Sequence, residues 1–155
     1  MRKINFIFIL FFLICATGVY FSLDFKKDYS EISIEDLHTL AQNDDAEAQF
    51  ILGSYYQYGV KVEEDLKESK KWYLKSAKNG NTDAMVNLGY LYGYGVGTEE
   101  DLIKAYEWNL KAAKNGNATG MFNVGKKYEM GIGVPKDQEQ AKYWLEKASE
   151  KGHSV

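Results

Sequence analysis

Apolar positions from residue 46 onward follow a helical spacing in two consecutive stretches. In the first stretch, Ala48, Leu52 and Tyr56 are four residues apart, and in the second, Trp72 and Ser76 have the same separation. Residues at such separations share one face of an α-helix. The pattern therefore predicts two amphipathic helices in succession.

The predicted pair of helices returns with a fixed step of 36 residues and no insertion. A repeat length of roughly 20 to 50 residues is typical of solenoids, in which each unit buries its apolar face against its neighbours. The sequence therefore predicts three repeats, over about residues 46–81, 82–117 and 118–153. The matching columns are Gly53, Gly89, Gly125; Tyr56, Tyr92, Tyr128; Gly59, Gly95, Gly131; Asp65, Asp101, Asp137; Trp72, Trp108, Trp144; and Gly80, Gly116, Gly152.

Signals for helix ends fall between these stretches. Gly59 and Gly80 come just after the two predicted helices, where a left-handed backbone is cheap for glycine. Three acids, at positions 63–65, precede the second helix, and Lys75 and Lys78 lie near its end. Each of these charges is stabilised by the helix dipole at the end where it lies. The three acids are therefore interpreted as a helix start rather than a cation site.

A leading helix is predicted from Ile34, in the register of a second helix, with Ser33 as its N-cap. The predicted fold is all-α: a right-handed α/α superhelical solenoid of three helix pairs plus this leading helix, over residues 34–155. Helices of about 12 to 15 residues are marginal alone in water, so stacking between repeats must supply most of the stability.

The repeat unit resembles the Sel-one-like repeat, a relative of the tetratricopeptide repeat, over about residues 34–152. The resemblance implies an adaptor surface, often in bacteria and often exported, and no particular reaction. The short chain is also similar to exported family members that act as immunity proteins against secreted bacterial toxins. The second copy carries the resemblance best, through Ala84, Asn87, Leu88, Gly89, Tyr92, Gly95, Gly97, Asp101, Ala105, Trp108, Ala112, Ala113 and Gly116.

Two positions depart from the family pattern. Lys61 stands where the loop's second glycine is expected, although Gly97 and Gly133 keep that glycine. Gly120 replaces the alanine found earlier in the other first helices. These departures predict a distorted first loop and a late start of the third first helix.

The beginning of the chain differs from the rest. Residues 4–23 contain no charge and are long enough to span a bilayer as a helix. Residues 1–23 are equally consistent with a signal peptide and with a transmembrane anchor, and residues 24–33 are interpreted as a tether. Lipid attachment at Cys15 is a weaker third alternative. All three predict an exported, periplasmic domain, attached to the membrane through residues 4–23 if they are not cleaved.

Charge and cysteine content narrow the range of partners. The net charge is −3, and because the first 23 residues contribute Arg2 and Lys3 without an acid, the remainder carries −5. An acidic domain is a poor nucleic-acid binder. Cys15 is the only cysteine, so the exported part has neither a disulfide nor a thiolate metal site.

No residue pattern in the chain predicts an enzyme, a cofactor or a metal site. The alternative function is a β-lactam-binding or β-lactam-hydrolysing protein, because some members of the family act on lactams. The family members that act on lactams resemble disulfide-bridged chains, and this chain has a single cysteine. A serine nucleophile of the lactam-binding type would need a lysine three residues later, and no serine here has one. The only histidines, His38 and His153, are far apart in sequence, and Gly95-Val96-Gly97 is weak as a phosphate loop because it recurs with the repeat.

The predicted partner is another protein, bound along the first helices if these line the concave face. For Phe50, Val86 and Phe122 a core position is favoured over a contact position. For Tyr90 and Tyr94 both alternatives stay open, because Ser54 and Lys126 at the position of Tyr90 show that packing does not demand an aromatic ring there. A polar capping helix does not follow Trp144, so self-association through the last repeat is also predicted. The predicted partner-binding residues are Glu47, Phe50, Ser54, Tyr58, Asp83, Tyr90, Tyr94, Phe122, Lys126 and Met130.

Overall fold

The computed structural model describes residues 29 and 31–153. Within these residues every regular element is a helix, and the predicted all-α repeat solenoid is confirmed. The segment predicted as a signal or anchor lies outside the described residues, as does most of the predicted tether. The helices are α1 Ile34–Gln42, α2 Ala46–Tyr58, α3 Leu66–Lys78, α4 Thr82–Tyr94, α5 Leu102–Lys114, α6 Ala118–Met130 and α7 Gln138–Glu150.

Each helix packs mainly against the helices next to it in the chain, and α4 also contacts α6. The core is correspondingly divided into three clusters, around Leu52, Leu88 and Val124, each of which is fully buried. These three residues occupy one column of the repeat. The burial is thus local to each helix pair and its neighbour, as a stacked solenoid requires.

The predicted helix ends are confirmed. The Ser33 hydroxyl accepts a hydrogen bond from the backbone N–H of Asp36, at 3.1 Å. Asp65 caps α3 by accepting from two backbone N–H groups, and Gly59 ends α2 with φ of +65°. Because these signals recur with the repeat, all six paired helices have the same length of 13 residues.

The prediction that Lys61 distorts the first loop is wrong. Lys61 has φ of +59°, close to +63° at Gly97 and +71° at Gly133. The two glycines lie against the preceding repeat: a Cβ on Gly97 would be 2.8 Å from the carbonyl oxygen of Leu66. No repeat precedes the first loop in the described residues; the segment before α1 lies there instead, and the Lys61 ammonium donates to its Ile32 carbonyl oxygen at 3.3 Å. A side chain is therefore accommodated in this one copy.

The third first helix also begins in register, so the expected late start is wrong. Helix α6 starts at Ala118, 36 residues after Thr82 and 72 after Ala46. Gly120 is buried, and a Cβ there would lie 2.7 Å from the Cβ of Ala112. The glycine allows close approach of α6 to α5, and the Asn117 cap keeps the helix start in place.

The segment before α1 packs on the domain. The Tyr29 hydroxyl donates to the Asp45 carboxylate at 2.8 Å, and Asp45 is the N-cap of α2. Ile32 packs against the first core cluster. Across the described part of the chain, no helix combines the length and hydropathy needed to cross a membrane.

Candidate protein-binding groove

A groove of about 570 Å³ runs across the first helices of the three repeats. Helices α2, α4 and α6 form its walls, and α5 contributes to its floor. We call this feature the central groove. Its lining residues are Gln57, Tyr58, Val86, Asn87, Gly89, Tyr90, Gly93, Tyr94, Leu102, Asn109, Phe122, Asn123, Lys126, Lys127, Met130 and Ile132.

The rim of the central groove is rich in exposed apolar surface. Tyr94 is 73% exposed, Tyr58 68%, Met130 55% and Tyr90 47%. The rings of Tyr90 and Tyr94 pack on each other with centroids 4.9 Å apart. Large apolar side chains on a rigid scaffold are typical of protein interfaces, where a few aromatic residues carry most of the binding energy.

In the middle repeat a smaller side chain, Asn109, stands where the first repeat has the ring of Tyr73. Tyr73 packs over Gly53, so close that a Cβ on that glycine would meet the ring at 2.6 Å. One repeat later, Asn109 takes the place of Tyr73 and lies over Gly89. The shorter side chain leaves open the space that a tyrosine ring fills in the first repeat.

Amide groups form the floor of the groove. Asn109 is 2% exposed, and its Nδ2 donates to the carbonyl oxygen of Ala105 at 2.7 Å. Its Oδ1 accepts from Nδ2 of Asn123 at 3.0 Å. Asn87 completes the set of floor asparagines. Each amide carries two N–H donors and an acceptor, so the partly buried Asn87 and Asn123 retain hydrogen-bonding capacity, whereas Asn109 is almost fully enclosed.

Two lysines give the groove a positive character. Lys126 pairs with Glu129 on the same helix. Lys127 is partly buried, and among the described residues its ammonium has no hydrogen-bond or ion-pair partner. Burial lowers the pKa of Lys127 below its ordinary value. None of the described residues lining the groove is an acid.

The structure brings six of the predicted partner-binding residues together in the groove: Tyr58, Tyr90, Tyr94, Phe122, Lys126 and Met130. The other four, Glu47, Phe50, Ser54 and Asp83, do not line it.

Glu47 and Asp83 instead join consecutive repeats. Asn81, the N-cap of α4, donates from Nδ2 to the Glu47 carboxylate at 3.0 Å. In the same way, Asn117 donates to the Asp83 carboxylate at 2.8 Å. Each asparagine also accepts from a backbone N–H of its own helix. One side chain thus caps a helix and fastens it to the repeat before.

Phe50 packs into the core, with its ring centroid 5.8 Å from that of Tyr73. Val86 and Phe122 also pack against core clusters, and each contributes to the groove wall. Ser54 is partly buried beside the Tyr73 hydroxyl. The core alternative therefore describes Phe50 fully and the other two apolar residues in part.

The floor asparagines and Lys127 were missed by sequence reasoning. Asn109 lies on a second helix, whereas the predicted surface was confined to first helices. A signal was nevertheless present: the column Tyr73, Asn109, Leu145 changes size opposite a column that is always glycine. Size variation opposite a fixed glycine indicates a change in groove depth.

In the described part of the chain, no group of three or more His, Cys, Asp or Glu side chains could hold a metal ion. On α7, Tyr143 is 50% exposed and packs edge-on against Trp144, with centroids 5.2 Å apart. Self-association through the last repeat stays a prediction.

The fold and the groove together define a helical repeat scaffold with exposed aromatic side chains along one groove. The sequence matches the Sel1 repeat family over residues 46–81, 82–117 and 118–153, and the chain belongs to that family. Sel1 repeats are protein-interaction modules. No curated protein sequence matches the chain.

Solved structures of similar fold include a Sel1 repeat protein from Oxalobacter formigenes, with 36% identity and a TM-score of 0.72 over 76% of this chain and 89% of that one. A protective antigen of uropathogenic Escherichia coli with an SLR fold has 29% identity and a TM-score of 0.74, covering 76% of this chain and 25% of that one. The Helicobacter pylori cysteine rich protein B, at 24% identity, 76% and 90% coverage and a TM-score of 0.61, shows the same fold.

Proposed function

We propose that this protein is an exported, non-enzymatic adaptor that binds one protein ligand through the central groove. The observation that carries the proposal is the alignment of exposed Tyr58, Tyr90, Tyr94 and Met130 along a groove shared by three repeats. A soluble surface rarely gathers so many large apolar side chains without a partner. The groove spans consecutive repeats, so its shape depends on the stacked solenoid as a whole.

The aromatic rim is suited to a hot spot. Tyrosine offers a large contact area with few rotatable bonds, and losing one such side chain at a well-packed interface costs ~2 kcal/mol or more. Tyr90 and Tyr94 already pack on each other, so little side-chain entropy remains to be lost on binding.

The test is capture of the ligand from the protein's own cells by the full chain and by a Tyr90→Ala, Tyr94→Ala double variant. We expect the double variant to lose at least about a hundredfold in affinity, because two residues at ~2 kcal/mol each exceed that factor. The control is Tyr143→Ala, which removes an exposed tyrosine outside the groove. Equal capture by the double variant and by wild type would overturn the proposal.

The identity of the captured protein separates two forms of the adaptor. A secreted bacterial toxin, and a toxin reading frame beside this gene, support an immunity role; an envelope-assembly protein supports a general scaffold. Export is tested separately, by protease accessibility of the domain in intact spheroplasts. The mass of the mature N-terminus distinguishes a cleaved signal from a retained anchor.

The non-enzymatic part of the proposal is tested with a chromogenic β-lactam. We expect no turnover by the purified protein above that of a denatured sample. Turnover that tracks the folded protein would contradict the proposal and favour the lactam alternative.

A further inference from the structure

Lys127 is charged at a position where the other two repeats have a neutral residue. The equivalent residues are Tyr55 in α2 and Leu91 in α4, and Leu91 is fully buried. Packing at this position therefore accepts a neutral side chain. A partly buried ammonium costs free energy that an apolar residue of similar size would not.

Nothing in the described residues compensates this charge. The neighbouring Lys126 has Glu129 as its partner, whereas Lys127 has no hydrogen-bond or ion-pair partner there. The lowered pKa of Lys127, caused by burial, reflects the same cost. The groove onto which Lys127 opens has no acidic side chain among its described lining residues, although the chain as a whole is acidic. The lining of the groove is thus positively charged, whereas the chain as a whole has a net negative charge.

The dimensions of the groove suit an extended segment. The groove crosses three first helices, from Tyr58 on α2 to Met130 on α6. Because an extended chain advances about 3.3 Å per residue, a segment of several residues is needed to span it. The rim is exposed at both ends, at Tyr58 and at Met130, so a polypeptide can enter at one end and leave at the other.

The floor offers what the backbone of such a segment needs. An extended peptide presents N–H and C=O groups that must find partners when they leave water. The partly buried Asn87 and Asn123 line the groove and can supply both donors and acceptors, while Asn109 holds the Asn123 amide from below. The floor therefore suits peptide groups, and the rim tyrosines suit side chains.

We propose, building on the proposed function, that the central groove holds an extended internal segment of the partner and that an acidic side chain of this segment pairs with Lys127. The carboxylate supplies the counter-charge that the groove lacks. Asn87 and Asn123 bind the main chain on either side of it, and Tyr90 and Tyr94 pack against the flanking side chains.

The probes are two libraries of eight-residue peptides, acetylated and amidated so that their ends carry no charge. One library has glutamate at the fourth position, the other has glutamine, and the remaining positions are randomised. Binding of the full-length protein in detergent is measured on both. We expect the best glutamate peptides to bind at least about tenfold more tightly than their glutamine counterparts.

The variant Lys127→Met should abolish this difference while it preserves the fold, since Leu91 is the equivalent buried residue. The matched control is Lys114→Met, which removes an exposed lysine at the end of α5, outside the groove. The glutamate preference should persist in the control and weaken as salt is raised. Equal binding of both libraries, or a preference that survives Lys127→Met, would overturn the proposal.

A third library, with glutamine at the fourth position and a free terminal carboxylate, separates a chain end from an internal acid. Binding to this library alone would overturn the internal segment. Failure of every library would overturn recognition of an extended peptide. The proposed adaptor function is contradicted only if capture of the cellular ligand is unchanged by the Tyr90→Ala, Tyr94→Ala substitution. Failure of the adaptor proposal can therefore be distinguished from failure of the peptide-segment proposal.

Discussion

Replacing Gly133 with alanine tests whether the loops between helices fix the spacing of the repeats. Gly133 follows α6 with φ of +71°, and a Cβ at this position would lie 1.9 Å from the carbonyl oxygen of Leu102, the first residue of α5. The obstructing atom belongs to the backbone of a helix and cannot rotate away. The third repeat must therefore move relative to the second.

Two contributions set the expected loss in the free energy of unfolding for Gly133→Ala. A non-glycine residue in the left-handed region costs about 1 to 2 kcal/mol, and forcing extra volume into a packed site typically costs a further ~1 to 3 kcal/mol. Gly116 provides the matched control, because it has φ of +86° but a Cβ added there would meet no atom within 4 Å. Only the conformational term applies there.

Urea unfolding of both variants, followed by far-ultraviolet circular dichroism, measures the difference. We expect Gly133→Ala to lower the free energy of unfolding by about 1 to 3 kcal/mol more than Gly116→Ala does, the range of the overpacking cost. Equal losses in the two variants would show that the close approach to Leu102 does not hold the repeats together, and the reasoning would be refuted.

Three further outcomes are expected. Asn109→Tyr should fill the groove as Tyr73 does in the first repeat, so that ligand capture falls at least about tenfold, roughly 1.4 kcal/mol; because the change also removes the bonds of Asn109 to Ala105 and Asn123, capture is compared at a temperature where circular dichroism shows the variant folded, and retained capture there would contradict the role of this side chain's size. Gln49 is fully buried and bonds to the carbonyl oxygen of Ala41 at 2.8 Å and to Asn79 at 2.9 Å, so Gln49→Met, the residue type of the other two copies, should cost about 1 to 3 kcal/mol in urea unfolding. Burial raises the pKa of Tyr73 to about 12 from 10.0; the folded state then holds the proton more tightly, so this stabilisation is present below pH 10 and is lost as pH rises to 12, and Tyr73→Phe should flatten that decline.

The repeat fold could be predicted from sequence because its determinants lie close together in the chain. The glycine and aspartate columns mark helix ends, and the apolar spacing marks the buried faces, so register alone gives the helix bounds to within a residue or two. Lys61 and Gly120 were misjudged because their effect depends on what lies opposite. A short leading segment lies opposite Lys61, and the Ala112 side chain lies opposite Gly120.

The binding surface was predicted only in part. Tyr90 was found because Ser54 and Lys126 at the equivalent positions show that packing does not demand an aromatic ring there, and Tyr94 because it lies off the packing stripe of the same first helix. Glu47 and Asp83 share that helix face, yet the structure places them against the caps of the following repeat. A helical wheel does not show which exposed position the next unit will cover.

The amino-acid sequence by itself determined an all-α solenoid of three helix pairs, since a repeated unit with strong end signals folds by contacts between chain neighbours. Only the tertiary structure decided which side chains line the groove and which charge remains unpaired in it. Tyr58, Asn109 and Lys127 are far apart in the chain and meet only after stacking. The size of one side chain, measured against a neighbouring helix, then sets the space that a partner can occupy.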